Sequence, residues 1–143
     1  MQLVSRIEVF HPEDMILLGY YTALTLLGHE LIYLEGELGT GKTTFTKGFG
    51  KAFRIKEDVL SPSFVLLREY KGAKLLLHYD LYRLTTHAQL QGIDFFDQLG
   101  REGIKIVEWA DKFPEITKYA DWVIKFQNLG ETQRLVEFYA TKY

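Results

Sequence analysis

The residues best suited to chemistry in this chain are three glycines, a lysine and a threonine at fixed offsets, in Gly36-Glu37-Leu38-Gly39-Thr40-Gly41-Lys42-Thr43. A triphosphate concentrates negative charge on its oxygens, so a loop that holds one must turn several backbone N–H groups inward with no side chain in the way. Gly36, Gly39 and Gly41 permit that approach. Lys42 offers a point charge for the β- and γ-phosphates, and the Thr43 hydroxyl offers a ligand for Mg²⁺. This is the complete P-loop pattern, and the candidate nucleotide-binding set is Gly36, Glu37, Leu38, Gly39, Thr40, Gly41, Lys42, Thr43 and Thr44. A nucleoside triphosphate and Mg²⁺ are what it calls for.

Two carboxylates compete for the part usually taken by an acid at a neighbouring strand end, which holds Mg²⁺ directly or through water. Asp80 follows the apolar run Leu75-Leu76-Leu77, and Glu108 follows Ile104 to Val107. Both fit, and one can bind metal while the other orients water. Thr43, Asp80 and Glu108 are thus the candidate metal ligands, and Lys42, Asp80 and Glu108 the candidate catalytic groups. In Ser61-Pro62-Ser63-Phe64 a loop enters a strand, where the Ser63 hydroxyl is placed to sense a γ-phosphate as switch segments do. A serine beside a proline also has a plain reading as turn chemistry. Trp109 reads as a core or partner-facing aromatic, and His78 as a packing histidine rather than a base.

The elements that must position these groups follow from periodicity. An opening strand is expected at Leu3 to Val9. A helix then starts at Pro12, favoured at a first helical position, with Glu13 and Asp14 against the positive end of the dipole. It should run to about Leu27 and stop at Gly28, packing through Leu17, Tyr21, Leu24 and Leu27, which share a face. Leu31 to Leu34 has strand length and enters the glycine loop. From Lys42 helical spacing resumes with Phe45, Phe49 and Phe53; Gly48 and Gly50 each weaken that helix by roughly 1 kcal/mol against alanine, so tight packing is expected there. Phe64 to Tyr70 and Ala73 to Tyr82 flank Lys71-Gly72 as an antiparallel hairpin. Thr86 to Gln89 resembles a capping box that opens a helical stretch, which Gly92 interrupts. Ile104 to Val107 is a buried strand whose C-terminal end carries Glu108, where open α/β sheets place ligands. Trp122 to Gln127 and Arg134 to Ala140 form a last hairpin around Asn128-Leu129-Gly130. Parallel strands near the loop and hairpins elsewhere give an α/β class: a single-domain P-loop NTPase-type fold, its mixed parallel and antiparallel sheet flanked by helices.

Composition narrows the partners. A chain of 143 residues, 47% apolar and 25% charged, has the balance of one globular domain. The absence of cysteine excludes disulfides and a thiolate zinc site, and four scattered histidines make no spaced metal cluster, so any metal should sit on oxygen. A net charge of −2 with no basic block argues against RNA as a direct strong ligand. No apolar run reaches the roughly 18 to 20 residues that span a bilayer, and no signal-peptide succession opens the chain, so the expected location is the cytoplasm, away from membrane.

Taken together, the glycine loop, Ser61-Pro62-Ser63-Phe64, His78-Tyr79-Asp80-Leu81-Tyr82-Arg83-Leu84 and Val107-Glu108-Trp109-Ala110 occur in an order similar to that of the TsaE (YjeE) family. The chain resembles that family from the first helix to Arg134. The resemblance implies Mg-dependent ATP hydrolysis in the synthesis of threonylcarbamoyladenosine in tRNA. It also implies action with TsaD and TsaB, which hold the transfer chemistry and meet the tRNA, so that tRNA is reached only through the complex. By position it implies Glu108 as Mg²⁺ ligand, Asp80 beside metal and phosphates, Ser63 where the family more often has threonine, and Arg134 as an arginine that approaches the nucleotide. His11-Pro12 stands where the family commonly has a serine or threonine cap. Two alternatives share the loop: a small-molecule kinase, which calls for a lid of arginines where this chain has Arg68, Arg83 and Arg101 dispersed, and a nucleotide-dependent scaffold without turnover. A GTPase is disfavoured because no Asn-Lys-x-Asp segment is present.

Overall fold

The computed structural model describes residues 1–141. Seven strands form one mixed sheet in the order β1-β7-β6-β2-β5-β4-β3. In chain order these are β1 (Gln2–Val9), β2 (Leu31–Glu35), β3 (Leu67–Lys71), β4 (Leu75–Asp80), β5 (Ile104–Glu108), β6 (Trp122–Asn128) and β7 (Arg134–Ala140). The centre is parallel: β2 pairs with β5 and β6, and β5 with β4. Antiparallel pairs close both flanks, β1 with β7 and β7 with β6 on one side, β3 with β4 on the other. The parallel strands read as near-continuous apolar runs because both their faces are covered. Helices α1 (Pro12–Leu24) and α2 (Lys42–Ala52) pack into one core layer, and the short helices α3 (His87–Gly92) and α4 (Phe95–Gln98) into the other, through Leu90 and Phe95.

Alternation along the strands sorts the core into two layers. Ile32, Leu34, Leu76, Ile104 and Ile106 pack with Met15, Phe45, Phe49 and Phe53 on the α1/α2 side. Leu31, Tyr33, Leu77, Tyr79 and Val107 pack with Leu90, Phe95, Phe113 and Ile116 on the other. Phe45 and Phe49 are fully buried, so truncating either to alanine is expected to cost about 3–5 kcal/mol.

Helix α1 departs from the sequence expectation in both length and face. It ends at Leu24 with Thr25 as its C-cap, before Gly28. The Glu30 carboxylate then gathers the N–H groups of Leu27, Gly28 and His29, which redirects the chain into β2. The apolar face of Leu17, Tyr21, Leu24 and Leu27 is exposed, and the buried residues are Met15, Gly19 and Ala23. Small residues decide this. A Cβ on Gly19 would fall 1.9 Å from the Phe45 carbonyl oxygen, and one on Gly48 2.2 Å from that of Ile16. The two helices therefore touch backbone to backbone, an approach that a leucine-bearing face cannot make. That contact also accounts for Gly48 inside α2. Gly50 is held against Val59, whose Cγ2 would lie 2.8 Å from a Cβ at that position.

The first hairpin is shorter than its sequence runs imply. Phe64 lies outside β3, in a turn closed by Val65 and Leu66 N–H groups on the Pro62 carbonyl, with Leu66 at φ 66°. The capping box is present: Gln89 N–H donates to Thr86 Oγ1, and the Gln89 side chain accepts from Thr86 N–H. The Trp122–Asn128 and Arg134–Ala140 hairpin forms as expected.

Candidate functional site

The chain leaves β2 at the C-terminal edge of the parallel strands and enters α2 through residues 36–41. Gly36, Gly39 and Gly41 take positive φ values of 155°, 77° and 103°, a region that side chains strain to enter. Their demands differ. A Cβ on Gly36 would strike the Phe126 carbonyl oxygen at 2.7 Å, one on Gly41 would strike Met15 Cε at 2.9 Å, and one on Gly39 would meet only open space. Thr40 is buried and its hydroxyl donates to the Glu37 carbonyl, which fixes the turn from inside.

Lys42 opens α2 and is 5% exposed. Its Nζ donates to the Gly36 carbonyl at 2.5 Å, lies 3.8 Å from Glu108 Oε1 and sits 4.2 Å from the centroid of the Trp109 ring. Burial holds its pKa below the ordinary lysine value, while Glu108 and Asp80 act in the opposite direction. Trp109 reaches this position from a left-handed backbone, φ 65°, which costs on the order of 1–3 kcal/mol and turns the ring across the lysine beside Tyr82.

Asp80 and Glu108 are register partners on β4 and β5 and are both almost fully buried. Asp80 Oδ2 accepts from Ser63 Oγ at 2.9 Å and Oδ1 from the Tyr82 N–H at 2.8 Å. Ser61 Oγ is 2.7 Å from Ser63 Oγ, so the segment entering β3 is tied to Asp80 by hydroxyls. Glu108 Oε2 is 2.6 Å from His78 Nε2, and both groups are enclosed.

These groups border one cavity of about 450 Å³, within the usual range for small-molecule sites. Leu38, Gly39, Gly41, Lys42, Thr43, Thr44, Ser61, Ser63, Asp80, Glu108, Trp109 and Arg134 line it, so the fold brings most of the candidate residues together. Gly36, Glu37 and Thr40 belong to the loop without lining the cavity. Arg134 braces the loop: its Nη2 donates to the Gly39 carbonyl at 3.4 Å and its Nη1 to the carbonyls of Gly130, Glu131 and Gln133. The rest of the wall comes from the β1–α1 turn, with Val9, His11, Pro12 and Met15, and from Glu131 and Thr132. Sequence reasoning assigned the cavity no residue from Val9, Met15, Glu131 or Thr132. Those residues carry no motif, and only the return of β7 beside β1 brings the two turns to the glycine loop.

The donor set suits Mg²⁺ with phosphate. Thr43, Asp80 and Glu108 offer oxygen only, and the described residues include no cluster of three or more His, Cys, Asp or Glu able to enclose a metal. Oxygen donors are the kind that Mg²⁺ takes where one or two carboxylates share it with the oxygens of a phosphate.

A family model described as "Threonylcarbamoyl adenosine biosynthesis protein TsaE" matches residues 10–136. The tRNA threonylcarbamoyladenosine biosynthesis protein TsaE of Aquifex aeolicus is 37% identical over 142 residues, covering 97% of this chain and 98% of that one. The protein of the same name from Bacillus subtilis is 34% identical, with 91% and 82% covered. The crystal structure of Bacillus subtilis YdiB superposes with a TM-score of 0.79 at 27% identity, covering 99% of this chain and 89% of that one. With its mixed seven-stranded sheet and its glycine loop, this α/β chain belongs to the TsaE family.

Proposed function

We propose that this chain is an Mg²⁺-dependent ATPase of tRNA threonylcarbamoyladenosine formation, which drives the cycle of a TsaD–TsaB complex and does not itself transfer the threonylcarbamoyl group. The observation that carries this reading is the convergence of Lys42, Thr43, Asp80 and Glu108 on one cavity. Bound Mg²⁺ would neutralise charge on the β- and γ-phosphates, held by the Thr43 hydroxyl and the two carboxylates. The loop amides and Lys42 stabilise the charge that grows on the departing phosphates, in a place where partial desolvation strengthens them. A strand-end carboxylate orients the attacking water. Ser63 couples the state of Asp80 to the exposed turn at Phe64 and Val65, which gives a partner something to read. Relatives named for threonylcarbamoyladenosine biosynthesis support the pathway, and the resemblance to the family supports TsaD and TsaB as partners, with tRNA met through them.

Two of the three arginines that a kinase lid would draw on are engaged elsewhere. Arg101 pairs with Glu69 at 2.6 Å, Arg83 stacks on Phe64 at 4.5 Å, and among the described residues Arg134 alone of the arginines borders the cavity. The test is phosphate release from ATP by the purified chain, alone and with TsaD–TsaB, without any acceptor. Stimulation by the partners, abolished in Lys42→Ala, is the expected result. Unchanged hydrolysis in that variant would sink the site assignment, and ATP binding without turnover under either condition would favour the scaffold.

A further inference from the structure

The Glu108 carboxylate is held from behind. His78 lies two residues before Asp80 on β4, on the same face of the sheet, and is fully buried. Its Nε2 is 2.6 Å from Glu108 Oε2, while Glu108 Oε1 is the oxygen nearer Lys42, at 3.8 Å. A carboxylate on the end of a strand has two free side-chain torsions beyond its Cβ. Its register partner is another carboxylate, Asp80, and like charges on neighbouring strands repel. Something must keep Glu108 from turning away, and His78 is the side chain in contact with it on the core side.

The tautomer is set by what else surrounds the ring. His78 Nδ1 is buried with no hydrogen-bond partner, and so is Nε of Arg68. Arg68 is the antiparallel register partner of His78, so both side chains project from the same face of the β3–β4 ladder. With no acceptor on Nδ1 and a carboxylate, which only accepts, 2.6 Å from Nε2, the ring hydrogen belongs on Nε2, pointing at Glu108.

We infer that His78 is a positioning residue for Glu108: it donates Nε2–H to Oε2 and so aims Oε1 at the metal and phosphate side of the cavity. This rests on the reading of the cavity as an Mg²⁺–ATP site. Removing such an outer partner of a metal-ligating carboxylate typically costs 10–100-fold in metal affinity or activity.

The experiment compares His78→Leu, which keeps bulk and removes the donor, with His78→Gln, whose amide nitrogen stands as far from Cβ along the chain as Nε2 does. Calorimetry measures ATP binding to each folded chain with and without Mg²⁺, alongside a thermal melt. The expected result is a 10–100-fold weakening of the Mg²⁺-dependent part in His78→Leu, substantial recovery in His78→Gln, and metal-free ATP affinity within about twofold of the parent. Equal Mg²⁺ dependence in all three chains overturns the inference. So does a His78→Gln variant as impaired as His78→Leu, since that would make the role one of shape. A parent chain that binds no ATP sinks the functional reading as well, whereas a parent that binds normally with indifferent variants sinks this inference alone. Nitrogen NMR of the parent's histidine rings, with the His78 signals assigned through bonds from the parent's own backbone, is independent of how the variants fold. The Nε2–H tautomer is expected, and the Nδ1–H tautomer overturns the assignment.

Discussion

The ends of β4 and β5 present the same chemical group to the same cavity and hold it in opposite ways. Asp80 is fastened outward, by the Ser63 hydroxyl from an exposed turn and by the Tyr82 N–H just beyond the strand. Glu108 is fastened inward, by a buried histidine on one oxygen and a buried lysine near the other. A rearrangement of the Ser61–Leu66 turn therefore reaches Asp80 first, while Glu108 keeps its core contact. Two carboxylates in register can thus divide their work: one responds to the loop, and the other stays fixed relative to the glycine loop.

The harshest way to break this comparison is at the fixed end. Glu108→Gln keeps the shape but removes the charge facing Lys42, and is expected to lower the turnover of ATP about 10²–10³-fold. Metal-free nucleotide binding should persist, because the loop amides and Lys42 remain. Steady-state hydrolysis read beside binding without Mg²⁺ separates the two, and loss of metal-free binding would mean that Glu108 shapes the loop itself. Asp80→Asn should cost less, about 10–100-fold, since the amide oxygen can still accept from the Tyr82 N–H. Its distinguishing sign is a change at the turn, visible as faster amide exchange at Val65 and Leu66, which Glu108→Gln should leave alone.

A third change acts on the fixed end through the backbone. Gly48→Ala adds a methyl 2.2 Å from the Ile16 carbonyl oxygen and must separate α2 from α1. Overpacking of this kind costs about 1–3 kcal/mol, and at this chain length each kcal/mol lowers Tm by about 2–4 °C. Because α2 carries Lys42 and Thr43, affinity for nucleotide should fall along with the melting temperature. A melt unchanged from the parent would show that the helices are free to part.

The contrast between the two acids is not legible in the sequence, although both acids are. The glycine loop announces itself because phosphate binding fixes residue types at fixed offsets, and each strand end is marked by an apolar run that stops at a carboxylate. What separates Asp80 from Glu108 is a cross-strand contact from His78, thirty residues away in the chain, and periodicity carries no information on which strand lies beside which. A buried histidine on a strand reads as packing until its neighbour is known. Trp109 is ambiguous in sequence for a related reason, since its place over Lys42 depends on a left-handed backbone that sequence does not mark in a bulky residue. The parallel centre, the hairpins and the Thr86 cap follow from local rules. Helix α1 does not: its leucines outweigh Gly19 and Ala23 in any count of apolar residues, yet contact between the helices is decided by what fits, and the glycines fit.

The mildest change sharpens the comparison at the outward end. Ser63→Ala removes one hydroxyl from Asp80 Oδ2 and from Ser61 Oγ. The site is partly open to water, so the loss to stability should be near that of a single hydrogen bond, about 0.5–1.5 kcal/mol. Ser63→Thr keeps the hydroxyl and adds a methyl on a half-exposed residue, so its stability should stay within about 0.5 kcal/mol of the parent. If Asp80 is the acid that answers to the turn, the alanine variant uncouples them: basal hydrolysis changes little, and stimulation by TsaD–TsaB falls toward the basal rate, with threonine restoring it. Full stimulation of the alanine variant would place the coupling elsewhere, in the Tyr82 N–H contact that Asp80 makes with its own strand end.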